Sequence, residues 1–193
     1  MKSLCVFCGS SAGRNEAYVK AAANVGRLLA ERGITLIYGG GSLGLMGACA
    51  EACLGAGGKV VGVIPKHLMR MDVGHLDLTA LHVVDSMHER KAMMAELSNG
   101  FIVLPGGIGT MEEFFEIWTW GQLGIHRKPF GVLNVNGYYD ALFLFITTMV
   151  EQGFLKSAQA TMTQLSEDPV MLLDALAAYV PPENPALLKL SET

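Results

Sequence analysis

The chain has 193 residues, of which 51% are hydrophobic and 17% charged, and its formal net charge is −4 at pH 7. That length suits one domain burying roughly 70% of its unfolded surface, with an apolar surplus available for a subunit partner. No basic cluster or aromatic-interleaved basic stripe is present, so nucleic acid is not an expected partner; no apolar run reaches about 18 residues and no leader pattern opens the chain, so a soluble, cytoplasmic protein that does not enter a membrane is expected.

Strand and helix patterns alternate along the chain. Ser3 to Phe7 reads as a strand, the turn Cys8, Gly9, Ser10, Ser11 leads to a helix from about Asn15 to Arg32, and Gly33 closes it. Ile34 to Tyr38 is the second strand, followed by GGGSLGLMG at Gly39 to Gly47 and a helix to about Leu54. Lys59 to Ile64 is the third strand, Pro65 to Leu78 an irregular excursion, and Leu81 to Val84 the fourth strand. A helix over Ser86 to Ser98 precedes a fifth strand at Phe101 to Leu104. A helix from Thr110 to Leu123, a strand at Phe130 to Asn134 and a helix from Tyr138 to Gln152 follow. A short strand near Thr161 to Leu165 and a helix from about Pro169 to Tyr179 complete residues 1–180, and Pro181 to Thr193 reads as a tail. Strands separated by helices of this length predict a single α/β domain with a doubly wound, mainly parallel sheet.

In such sheets ligands bind outside the carboxyl ends of the strands. Three turns rich in glycine or serine fall there: Gly9 to Gly13 with Ser10, Gly39 to Gly47 with Gly40 and Gly41, and Gly106 to Gly109. Convergence of three such turns favours a phosphorylated ligand. Gly39, Gly41 and Gly44 match G-x-G-x-x-G, yet KVVGVIPK at Lys59 to Lys66 offers no acid to hold a dinucleotide ribose, and no G-x-x-x-x-G-K-[ST] occurs. The expected ligand is smaller than a dinucleotide and bears a monophosphate.

The richest stretch is FIVLPGGIGTMEEFFE, Phe101 to Glu116. A buried strand ends at Pro105, the glycines uncover backbone N–H groups, and a helix starting near Gly109 or Thr110 aims its unpaired donors and positive dipole end into the turn. Glu113 shares a helix face with Gly109 and Thr110 and leans back over whatever the turn holds. Glu112 is rotated by about 100° and is the weaker candidate.

A second informative helix opens with DSMHERKAMM. Ser86 and Glu89 have capping-box spacing, which gives Glu89 a structural role. Arg90 and Lys91 sit early in the helix, where the dipole disfavours cations, and a local rule broken in this way points to function. Met87, Met93 and Met94 are candidates for an adaptable apolar wall. Cys5 and Cys8 face opposite sides of a strand, Cys49 and Cys53 lie one helical turn apart, and all four read as buried apolar side chains. His67, His75, His82, His88 and His126 show no metal-ligand spacing.

PGGIGTMEE at Pro105 to Glu113 fits PGGxGTxxE, and with SMHERKAMM at Ser86 to Met94 and GGGSLGLMG at Gly39 to Gly47 it resembles the LOG (Lonely Guy) family. The likeness extends through Trp118 to Asp140 and covers the chain to about Leu165. It implies a Rossmann-like homodimer without metal or organic cofactor. The implied reaction cleaves the N-glycosidic bond of a nucleoside 5′-monophosphate, AMP or an N6-substituted AMP, to free base and ribose 5-phosphate. Relatives have carried the label lysine decarboxylase; nothing here resembles a pyridoxal-phosphate lysine site.

Position by position, the resemblance implies Arg90 and Glu113 as the catalytic pair. Substrate contacts fall to Lys91, Gly107, Ile108, Gly109, Thr110, Met111, Glu112 and Thr119. Asp72 stands where many relatives have a glutamate that touches substrate. Both lines of reasoning place Glu113 beside the sugar, where it stabilises an oxocarbenium-like ring, orients the ribose hydroxyls or takes a proton from water; Arg90 steadies it and the phosphate or departing base. A nucleotide-sensing module without chemistry, and an enzyme acting on another phosphorylated sugar derivative, are the alternatives. The helices around Ala92 to Leu97 and Glu113 to Leu123 are the expected subunit contacts.

Overall fold

The computed structural model describes residues 1–69, 74, 75 and 77–181, so Asp72 and the tail from 182 onward lie outside the described residues. In chain order the elements are β1 (Ser3–Phe7), α1 (Glu16–Glu31), β2 (Thr35–Tyr38), α2 (Gly44–Gly55), β3 (Val60–Pro65), α3 (Lys66–Met69), β4 (Ala80–Val84) and α4 (Met87–Leu97). They continue with β5 (Phe101–Val103), α5 (Ile108–Gln122), β6 (Phe130–Leu133), a 3₁₀ turn at Val135–Gly137, α6 (Asp140–Glu151), α7 (Ser157–Ala160), β7 (Thr163–Ser166) and α8 (Pro169–Ala177).

The strands form one sheet in the order β4-β3-β2-β1-β5-β6-β7. Every neighbouring pair is parallel, so the sheet is parallel throughout rather than mainly so. Both faces are covered, which is why the inner strands read as unbroken apolar runs. Leu4 and Val6 of β1 pack with Val25 and Leu29 of α1, Leu45 and Cys49 of α2 and Leu172 of α8. Cys5 and Phe7, pointing the other way, pack with Met94 of α4, Phe114 and Trp118 of α5 and Ile146 of α6. The period-two alternation thus separates Cys5 from Cys8, and all four cysteines are buried free thiols.

Capping explains several boundaries. Asn15 accepts from the Ala17 N–H at 2.9 Å and starts α1. Asp168 accepts from Val170 and Met171 ahead of α8, with Pro169 at its first position. Ser86 accepts from the Glu89 N–H at 3.1 Å, while the Glu89 carboxylate reaches one residue further back than a capping box expects, to the Asp85 N–H at 2.8 Å.

The third strand runs on through Pro65, and the seventh lies at Thr163–Ser166 rather than Thr161–Leu165. The phosphate-turn helix begins at Ile108, ahead of the expected Gly109 or Thr110, because Gly107 takes the N-cap position. α3, α7 and the 3₁₀ turn leave no signature in the sequence pattern; at three or four residues each, they are too short to show a helical period. No helix among the described residues is long and apolar enough to cross a membrane.

The chain order fixes where a ligand can sit. From β1 the chain steps outward through β2, β3 and β4, then returns to lay β5 on the other side of β1. The helix that follows β1 packs on one face of the sheet and the helix that follows β5 on the other. Their turns diverge and leave a crevice at the carboxyl ends of those two strands.

Candidate functional site

That crevice holds a cavity of about 510 Å³, within the usual range for small-molecule sites. Its floor is the end of β1, Val6 and Phe7, continued by Cys8, Gly9 and Ser10; one wall is the β2–α2 turn with Gly39, Gly41 and Leu43, and Met46 in the first turn of α2. Ile64 and Leu68 close the side toward β3 and α3. Met87, Arg90 and Met94 come from α4, and Gly107 to Thr110 with Glu112 and Glu113 come from the turn into α5.

The three glycine turns are bolted together through the backbone. The Gly9 N–H donates to the Pro105 carbonyl at 3.0 Å, and the Gly9 carbonyl accepts from the Leu45 N–H at 3.0 Å. Gly44, at φ +61°, lies so close to the first turn that a Cβ there would stand 2.4 Å from the Ser10 carbonyl carbon. On the side away from the cavity, Tyr139 donates its hydroxyl to the Leu104 carbonyl and Tyr138 to the Gly106 carbonyl, both at 2.7 Å.

With these carbonyls tied back, the donors of α5 are left for a ligand. Met111 is the first helical N–H to find a partner, the Gly107 carbonyl at 3.1 Å. The N–H groups of Ile108, Gly109 and Thr110 precede it and have no intrahelical acceptor. They carry the positive end of the helix dipole, an arrangement that suits a phosphate.

Beside this anion cradle lie two buried charges. Arg90 is 7% exposed and Glu113 8%. The Arg90 Nε–H donates to the Val63 carbonyl at 3.1 Å and an Nη2–H to the Gly39 carbonyl at 3.2 Å, so the cation is held by the ends of two strands. Its Nη1 stands 3.6 Å from Glu113 Oε1, within ion-pair range but longer than a hydrogen bond. Burial pushes the Glu113 carboxyl up to about 7, although the Arg90 guanidinium pulls the other way. A carboxyl poised near neutrality, one helical turn from an anion cradle, can exchange a proton or face a developing positive charge.

Of the residues predicted to meet substrate, Gly9, Ser10, Gly41, Gly107, Ile108, Gly109, Thr110 and Glu112 line the cavity with Arg90 and Glu113. Gly40, Lys91, Met111 and Thr119 do not. Gly40 sits behind the wall, where its carbonyl accepts from the His75 N–H at 2.9 Å. The buried Lys91 ammonium is paired with Glu112 and with Glu116, the latter at 3.0 Å, and so clamps α4 to α5 instead of facing the cavity. Met111 packs against the core beneath α5, and Thr119 is exposed, its hydroxyl donating to the Phe115 carbonyl at 2.7 Å.

Sequence reasoning missed Gly39, Leu43, Met46, Ile64 and Leu68 as lining residues. Gly39 and Leu43 fall inside the glycine turn after β2, and Met46 in the first turn of α2; Ile64 lies near the end of the neighbouring β3, where the sheet rule points, and Leu68 belongs to the short α3 that follows it. Met87 and Met94 do line the cavity, whereas Met93 packs against the core. Among the described residues no three His, Cys, Asp or Glu side chains gather as they would around a metal ion.

The family model described as "Possible lysine decarboxylase" matches residues 46–176. The probable cytokinin riboside 5′-monophosphate phosphoribohydrolase LOGL5 of Oryza sativa subsp. japonica is 48% identical over 185 residues, covering 96% of this chain and 75% of that protein. The chain belongs to the LOG family. A second LOG protein, the cytokinin riboside 5′-monophosphate phosphoribohydrolase LOG1 of Arabidopsis thaliana, is 47% identical over 180 residues, 93% of this chain and 84% of that one. Among solved structures, the molybdenum cofactor carrier protein of Chlamydomonas reinhardtii superposes with a TM-score of 0.69 at 21% identity, covering 92% of this chain and 99% of that one. At that identity the likeness concerns the fold alone.

The Glu113 carboxyl gives a test that needs no substrate. Its folded-state value, raised to about 7 from an ordinary 4.5, means that the folded chain binds the proton more tightly than the unfolded chain does. Wild-type stability therefore falls as pH rises through that window, and Glu113→Gln, which cannot titrate, escapes the loss. Chemical denaturation at pH 4 and pH 8 should show the variant gaining about 2–3 kcal/mol on wild type between the two conditions. An equal difference at both pH values contradicts the shift.

Proposed function

We propose that this LOG-family chain is a phosphoribohydrolase that cleaves the N-glycosidic bond of a purine nucleoside 5′-monophosphate, AMP or an N6-substituted AMP. The observation that carries the reading is the buried Glu113–Arg90 pair, one helical turn beyond the free N–H groups of Ile108 to Thr110. Relatives nearly half identical over most of the chain are phosphoribohydrolases by name. The sensing alternative needs the phosphate turns alone and leaves this costly buried pair without a purpose. A decarboxylase built on a lysine Schiff base finds no lysine on the cavity wall among the described residues.

The 5′-phosphate docks on the α5 N–H groups, and its binding energy holds the ribose under Glu113. The C1′–N bond breaks with its electron pair leaving on the base, which takes up a proton. Positive charge spreads over C1′ and the ring oxygen. Water adds its oxygen to C1′ and gives up a proton, yielding ribose 5-phosphate and free base. In its ionised form Glu113 faces the cationic ring and can receive that proton; Arg90 keeps a fraction of the carboxyl ionised at neutral pH despite burial. Leu43, Met46, Ile64, Leu68 and Met87 give the base an apolar surround, and the thioethers adapt to its substituents.

The active form in this proposal is a cytoplasmic homodimer. Phe115, Thr119 and Leu123 form an exposed stripe at i, i+4 and i+8 along α5, and a second copy is its proposed cover. Thr119 then lies within that interface. The four free thiols fit a reducing compartment.

Incubated with AMP, the protein should release adenine and ribose 5-phosphate in equal amounts, with adenosine cleaved at least ~100-fold less efficiently for want of phosphate binding energy. Glu113→Gln should lower kcat by about 10²- to 10⁴-fold with AMP affinity nearly unchanged. Adenine release by the variant at the wild-type rate, or equal cleavage of adenosine and AMP, rejects the assignment. Sedimentation velocity tests the dimer: wild type should run as two copies and the double variant Phe115→Glu, Leu123→Glu as one. A monomeric wild type removes the dimer from the proposal.

A further inference from the structure

The glycine turn after β2 begins with a residue packed directly against the buried arginine. Gly39 follows the last strand residue, Tyr38, and its carbonyl accepts the Arg90 Nη2–H at 3.2 Å. A Cβ built on Gly39 would lie 1.8 Å from Arg90 Nη2 and 2.9 Å from Cζ, far inside any real contact. The next neighbour, the Met46 sulfur at 3.1 Å, belongs to a flexible side chain that can give way. Gly39 does not have the positive φ that Gly40 and Gly44 have. Its backbone therefore accepts alanine, and glycine is required there for space alone.

The guanidinium has no other place to lie in its present pose. Its Nε is bonded to the Val63 carbonyl at 3.1 Å, Nη1 meets the Met87 sulfur at 3.8 Å, and the same Nη1 faces Glu113 at 3.6 Å. A planar ion held along these directions cannot shift at Nη2 without rotating away from one of the others. We propose that Gly39 is a positioning residue for the glycosidic cleavage: its missing side chain is the seat of the Arg90 guanidinium, and through Arg90 it sets the distance and the charge balance at Glu113. This inference rests on the proposed phosphoribohydrolase reading.

Around Glu113 the titratable and charged groups are Arg90 and Lys91 from α4, Glu112 and Glu116 from α5, and the buried thiols of Cys5 in β1 and Cys8 just beyond it. Of these, Arg90 is the one that a side chain at position 39 would strike. Lys91 is occupied by Glu112 and Glu116 and is not replaced or released by the change. Displacing Arg90 removes the group that holds the Glu113 carboxyl down, and burial then acts with less opposition.

The test compares wild type, Gly39→Ala, Arg90→Ala and the double variant in adenine release from AMP across pH, with melting temperature recorded for each. Gly39→Ala should lower kcat by about 10- to 100-fold with a smaller change in KM. It should also move the kinetic limb that belongs to Glu113 upward by about one pH unit. In the Arg90→Ala background the same substitution should change kcat/KM by less than about twofold, the non-additivity of residues that act through one contact. Wild-type kcat and pH profile in Gly39→Ala overturn the proposal, and so does an equal cost of Gly39→Ala in both backgrounds. If Gly39→Ala does not fold, the double variant should, since the overlap is with the arginine; a double variant that stays unfolded is likewise contrary. A wild-type protein that releases no base refutes the proposed reaction and not the seat, which is then decided by whether Gly39→Ala raises the Glu113 carboxyl titration in NMR.

Discussion

A carboxylate kept out of water is the constraint around which this molecule is arranged. Glu113 sits on the inner face of α5, at the edge of a core layer that also holds Phe114 and Trp118, and burial alone drives it toward its neutral form. Arg90 is the countercharge, itself buried and satisfied by two strand-end carbonyls. Removing one partner of such a pair typically costs about 3–5 kcal/mol, because the remaining charge has neither water nor partner. The fold meets that cost with the ends of β2 and β3, and the outcome is a carboxyl that can change protonation near neutral pH.

The second requirement is a backbone that presents donors and hides acceptors. Gly9 ties the turn after β1 to both neighbouring turns, one through its N–H and the other through its carbonyl. Tyr138 and Tyr139 hold the carbonyls of Gly106 and Leu104 from behind, and Asn134 in turn accepts the Tyr139 N–H at 2.8 Å. Each bond is modest by itself, about 1 kcal/mol. Together they leave the first N–H groups of α5 facing the cavity, so stability and anion binding come from the same contacts. The glycines have separate duties: Gly107 caps α5 beside the cavity, Gly44 lets two turns touch, and Gly39 makes room for a cation.

The parallel sheet was legible because each inner strand is covered on both sides and so reads as an apolar run broken by turn residues. Glu113 was legible from spacing, since a residue four beyond Gly109 must lie above the turn. The neighbours Arg90 and Lys91 were not separable in the same way. Both break the dipole rule, and only the packing shows that one turns to the cavity while the other, rotated by about 100° on α4, meets the outer carboxylates Glu112 and Glu116. The apolar wall from Ile64 and Leu68 was hidden because it depends on which strand lies beside β2, a long-range fact. Thr119 and Met111, substrate contacts by resemblance alone, face solvent and core respectively.

A crystal structure of the Glu113→Gln variant with AMP bound shows directly whether the buried carboxyl position faces the sugar. The phosphate should accept from the N–H groups of Ile108, Gly109 and Thr110, and C1′ should lie within about 4 Å of the residue 113 side chain, the reach of a direct contact. A nucleotide bound elsewhere on the chain, or one lying in this cavity with C1′ turned away from that side chain, would contradict the account.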